Sequence, residues 1–115
     1  MYNKAFLIGR LTRDPETRVT TSGITLSRFT VAIDRFQKKD SGEKEADFIR
    51  VVTWRRLAEI CGQYLKKGKL VAVEGRLQID SYEKDGQTKT SAEIVADNVR
   101  MLDRVTQDVE APAVA

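Results

Sequence analysis

Three runs of this sequence alternate their side chains with a period of two, and that alternation commits the chain to a sheet-based fold. In Ile24 to Phe36, Phe29, Val31 and Ile33 alternate with Arg28, Thr30, Ala32 and Asp34. In Phe48 to Trp54, Ile49, Val51 and Thr53 share one face, while Phe48, Arg50, Val52 and Trp54 share the other. In Leu70 to Tyr82, Val71, Val73, Leu77 and Ile79 keep one parity, and Glu74, Arg76, Gln78, Asp80 and Tyr82 keep the other. Gly75 interrupts that run, as a bend or bulge in a barrel strand does.

The remaining elements fall between these runs. Lys4 to Leu11 reads as a first strand, followed by turns at Asp14-Pro15 and Thr21-Ser22-Gly23. Gln37 to Glu45 is a charged hairpin loop, either a mobile finger or a plain solvated connection. Leu57, Ile60, Cys61, Tyr64 and Leu65 recur at spacings of three and four, which marks one apolar stripe on a helix. Lys66, Lys67 and Lys69 cluster at its end, with Gly68 as a left-handed cap. Asp85-Gly86 predicts a tight hairpin turn. Thr90 to Leu102 returns as a last strand, with Ile94 and Ala96 opposing Val95 and Val99. The expected fold is all-β with one helix: a five-stranded OB-fold barrel with the helix between strands 3 and 4. It spans residues 1–105, and 106–115 read as a flexible tail.

Composition excludes several functions. There is no histidine, so a His-based triad or zinc site is ruled out. The single cysteine, Cys61, allows no intrachain disulfide and sits in the apolar stripe as a small core residue. Asp34, Glu59 and Glu74 show no metal or nucleophile spacing, so neither an enzyme nor a cofactor is expected. Net charge is +3, and without the tail from Asp103 onward 19 basic residues face 14 acidic ones, a modest bias toward polyanions. The apolar stretch near the N-terminus, Ala5 to Ile8, is too short for a signal peptide or a membrane span, so a cytoplasmic protein is expected.

The aromatic residues carry the functional signal. Phe36, Phe48, Trp54 and Tyr82 each lie at the parity opposite their strand's aliphatic row, and Arg28, Arg50 and Arg76 occupy the same parities. Aromatics interleaved with arginine suit single-stranded nucleic acid, because every base has a flat face to stack and every phosphate a charge to neutralise. The alternative is a surface that closes the barrel end or meets another subunit. In the first strand both parities are apolar: Ala5 and Leu7 on one, Phe6 and Ile8 on the other. One face lines the barrel, and the other is covered by a second copy of the chain or by its own helix or tail.

"NKAFLIGRLTRDPETR" and "RVVTWRRLAEICGQYLKKGKLVAVEGRL" resemble the bacterial single-stranded DNA-binding protein family over nearly the whole chain, from about Asn3 to Leu102. The resemblance implies an OB-fold that assembles as a homotetramer through the first-strand face of Phe6 and Ile8 and wraps single-stranded DNA over its outside. It implies work in replication, recombination and repair, near the nucleoid, without catalysis. The family's stacking rings carry over onto Phe36, Phe48, Trp54 and Tyr82. Its basic positions carry over onto Lys4, Arg18, Arg50, Arg56 and Lys67, to which Arg10, Arg28 and Arg76 are added as candidate phosphate contacts. Two departures stand out. Asp80 occupies a position near the fourth aromatic where many relatives are basic, and the chain ends "TQDVEAPAVA" rather than in an acidic, phenylalanine-tipped tail. Recruitment of replication and repair proteins is therefore expected only if a native acidic tail exists. Two rival readings remain: an RNA-binding or primosome-type OB module, and a protein-interaction module whose aromatic face docks another protein.

Overall fold

The computed structural model describes residues 1–35 and 45–103. Six strands and one helix follow in the order β1 (Ala5–Leu11), β2 (Glu16–Val19), β3 (Thr25–Asp34), β4 (Ala46–Trp54), α1 (Arg55–Tyr64), β5 (Leu70–Lys84) and β6 (Gln87–Met101). The strands lie in the order β1-β5-β6-β4-β3-β2, and β1 also pairs with β3. That extra pairing closes β1, β5, β6, β4 and β3 into a barrel. These five are the strands expected from the sequence, and α1 lies between the third and fourth of them. The short β2 is added at the edge of β3. All four of its residues are exposed, so it carries no alternation to read.

The interior matches the aliphatic parities. Val31, Val51, Val71 and Val73 are fully buried, and Phe29, Ile94 and Leu11 join them. Helix α1 turns Ala58 and Cys61 toward this core, and Leu65 follows them in. Beneath the helix, Thr53 Oγ1 donates to the Ser27 carbonyl at 3.1 Å, which satisfies a hydroxyl that is wholly shielded from water. No helix among the described residues is long and apolar enough to cross a membrane.

Two local readings are corrected. Gly68 has a left-handed backbone (φ 90°), but it does not cap α1. The helix ends at Leu65 in extended geometry, and Gly68 shapes the turn into β5, where its N–H donates to the Leu11 carbonyl. Val99 does not oppose Ile94 and Ala96; it packs against the same core. The cause is a register shift: Glu74 pairs with Asn98, but Gly75 pairs with Ala96, so Asp97 is an extra residue and the inward parity of β6 switches there. Gly75 is the residue that tolerates this crowding, because a Cβ there would collide with the Val95 carbonyl.

Beyond the barrel, β5 and β6 continue as a two-stranded arm. Its turn at Asp85-Gly86 has positive φ at both residues (53° and 76°), which suits the right-handed twist of a two-residue hairpin. Leu77 and Ile79 keep inward parity but are exposed, because the arm has left the core behind.

Candidate nucleic-acid interface

Register fixes which outward side chains are neighbours. On the outer face, Arg18 of β2 pairs with Leu26 of β3, which pairs with Trp54 of β4. The next row runs Glu16, Arg28, Val52, Val95 and Arg76 across β2, β3, β4, β6 and β5. Thr30 and Arg50 form a third row, and Arg10, Ala32 and Phe48 a fourth. Phe48 and Trp54 thus stand on one strand face, six residues and about 20 Å apart. Arg50 lies between them on the strand, with Arg28 on the neighbouring strand.

Phe48 is 67% exposed and Trp54 39%. Burying rings of this size is favourable, so an exposed pair on a barrel wall is unpartnered surface. Beside Phe48 runs a groove of about 620 Å³, lined by the Thr12–Glu16 segment on one side and by Arg28, Thr30, Phe48 and Arg50 on the other. The segment contributes Arg13, which strand parity could not find because it lies between strands. Asp14 also lines the groove, but its carboxylate accepts the Lys67 backbone N–H at 2.9 Å.

The base of the β3–β4 connection is held by Arg35, whose guanidinium meets Asp47 at 2.7 Å and Glu45 at 3.2 Å. Hydrogen bonding to Arg35 holds the Asp47 carboxyl below its usual range and raises the guanidinium's own pKa. This fixes the backbone one residue before Phe48.

The other candidate residues divide. Arg18, Arg50 and Arg76 are exposed on the rows just described. Arg56 is exposed in the first turn of α1, two residues after Trp54, and Lys67 is exposed in the turn after the helix. Tyr82 is exposed but lies out on the arm opposite Lys89, beyond the Phe48 end of the sheet. Three basic residues are already engaged. Lys4 pairs with Glu74 at 3.0 Å, and that hydrogen bond raises its pKa. Arg10 donates to the Gly68 carbonyl at 2.9 Å and meets Asp103 at 3.4 Å, which turns its guanidinium toward β5. Arg28 Nε lies 3.6 Å from Glu93. No sequence pattern announced these acids as partners, since each pairing joins different strands or segments. Phe36, most of the Gln37–Glu45 loop and the 106–115 tail lie outside the described residues.

Barrel, helix and displayed rings together define an OB-fold domain with an aromatic and basic outer sheet. The chain belongs to the single-strand binding protein family, whose model matches residues 2–102. It is 45% identical over 109 residues to single-stranded DNA-binding protein 1 of Staphylococcus aureus (strain MSSA476), covering 94% of this chain and 70% of that one. Single-stranded DNA-binding protein A of Bacillus subtilis (strain 168) is 48% identical over 104 residues, covering 90% of this chain and 60% of that one. Among solved structures, the Plasmodium falciparum SSB complex with ssDNA superposes with a TM-score of 0.81 at 26% identity, covering 90% of this chain and 96% of that chain.

Proposed function

We propose that this chain binds single-stranded DNA with little regard to sequence and protects it during replication, recombination and repair in the cytoplasm, without catalysing a reaction. The observation that carries this reading is Phe48: a ring two-thirds exposed on a barrel wall, beside a groove lined with Arg13, Arg28 and Arg50. Bases stack on Phe48 and Trp54, with Tyr82 extending the path and Phe36 a further candidate ring outside the described residues, and phosphates meet Arg13, Arg18, Arg50, Arg56, Lys67 and Arg76. Stacking contributes about 1–3 kcal/mol per base and tolerates any sequence. A duplex hides its base faces, so the preference is for unpaired strands. Family membership and the exposure of Phe6 and Ile8 on the outer face of β1 support assembly into a homotetramer through that strand.

The test is a titration with poly-dT at low salt. Binding is expected to quench the fluorescence of Trp54, the only tryptophan. Affinity should fall with salt at a log–log slope of about −0.7 per phosphate neutralised. Equal or tighter binding of matched RNA would make RNA the target. Absence of binding to either, with an unquenched tryptophan, would turn the aromatic face into a protein-docking surface.

A further inference from the structure

Glu93 stands in the middle of the surface assigned above to DNA. It lies on the outer face of β6, paired in register with Gln78 of β5. Val51 pairs with Ile94 in the parallel β4–β6 ladder, so Arg50 and Glu93, one residue earlier on each strand, project side by side. From the far side, Arg28 of β3 brings its Nε within 3.6 Å of the Glu93 carboxylate. To do so it crosses β4 at Val52, its own register partner. Val52 has outward parity yet is only 2% exposed, as expected of a side chain with an arginine stem lying over it. The Glu93 side chain is 18% exposed and that of Arg28 is 47% exposed, so the acid is sunk into the surface and the base lies on top.

We propose that Glu93 is an internal competitor for DNA phosphate, one that holds Arg28 in an ion pair across the binding surface and so limits how tightly the protein grips a single strand. The inference rests on the single-strand-binding reading. A carboxylate and a phosphate offer a guanidinium the same thing, anionic oxygens at hydrogen-bond range. While Glu93 occupies Arg28, that arginine carries no net charge toward an incoming strand and releases few counterions. The pair is partly exposed and its Nε–oxygen separation is long, so a phosphate can exchange with the carboxylate. The residue acts through Arg28 and is therefore a positioning residue; its effect falls mainly on dissociation, where affinity differences within one interface usually lie.

The variant Glu93→Gln keeps the shape and removes the charge. Titration of a labelled dT oligomer between 50 and 200 mM salt is expected to show about two- to fivefold tighter binding at the low end. The salt slope should steepen by about 0.7, so the advantage shrinks about 2.6-fold across that range. In an Arg28→Ala background the same substitution frees no Arg28 guanidinium, so the slope should not steepen, even though loss of the carboxylate still relieves its direct repulsion of phosphate. Arg28→Ala alone, which serves if the glutamine variant folds poorly, should leave the wild-type salt slope nearly unchanged, whereas Arg50→Ala should flatten it by about 0.7. Unchanged or weaker binding by Glu93→Gln at about 50 mM salt, a steepened slope that survives Arg28→Ala, or a slope flattened by Arg28→Ala as much as by Arg50→Ala overturns the proposal while wild-type binding stands. A wild-type protein that binds no single strand overturns the functional reading and this inference together.

Discussion

Trp54 of β4 stands directly opposite Leu26 of β3, and Leu26, although it belongs to the outward row of its strand, is buried. The indole therefore has two jobs, covering an apolar neighbour and leaving part of its own face to solvent. Trp54→Ala is expected to cost about 1–3 kcal/mol in single-strand affinity and to lower stability as well, by about 1 kcal/mol through the uncovered Leu26. Trp54→Phe should recover most of the stability and part of the affinity. Binding of a labelled oligomer and denaturant melts of both variants separate the two effects.

Phe48 has no such second duty. It pairs with Ala32, is two-thirds exposed, and covers little. Phe48→Ala should leave stability within about 0.5 kcal/mol while binding weakens by about 1–3 kcal/mol. Phe48→Trp offers a larger face and should bind more tightly than the native residue. A stability loss as large as the affinity loss would assign Phe48 to packing instead.

Gly75 is where β6 gains its extra residue. An added Cβ meets the Val95 carbonyl and the Ala96 Cα, both backbone atoms with nowhere to move. Gly75→Ala is expected to destabilise by about 2 kcal/mol or more, well beyond the effect of an exposed glycine substitution, as read from a thermal or urea midpoint.

Burial pushes the Cys61 thiol up to about 11 from its ordinary 9.0, against a smaller opposing hydrogen bond with Thr53. The native state then keeps its proton where the unfolded chain has lost it, so the unfolded state binds fewer protons between pH 9 and 11. Stability must fall as pH rises through that window, by on the order of 3 kcal/mol in all, and the effect is absent well below pH 9. Comparing the pH dependence with that of Cys61→Ala isolates it from lysine and tyrosine titration. Native Cys61 should also resist alkylation at pH 8 until the protein is unfolded.

Ile8 and Phe6 project from β1 on the face opposite Leu7 and Ala5. Ile8→Glu places a charge on that face without touching the core. Light scattering is expected to show a smaller assembly, with the fold retained by circular dichroism. An unchanged mass would remove β1 from the assembly interface.

Much of this was legible in the chain because a strand's side chains alternate and its burial is one-sided. Parity put Val31, Val51, Val71 and Val73 inside and left Phe48, Arg50 and Trp54 outside. Parity fails where something local breaks the period. The bulge at Asp97 turned Val99 inward, and the exposed β2 offered no pattern at all. It also says nothing about whether an inward-parity residue has a core to enter: Leu77 and Ile79 read as core but sit on an arm.

The sequence by itself determined the barrel, the helix and the outward display of Phe48 and Trp54, since those depend on which side of one strand a residue takes. Only the tertiary structure decided which charges are free. Lys4, Arg10 and Arg28 read as equals of Arg50, yet Glu74, Asp103 and Glu93 reach them from residues 70, 93 and 65 positions away. Ion pairing depends on distance in space, and the packing together of strands and segments far apart in sequence sets that distance.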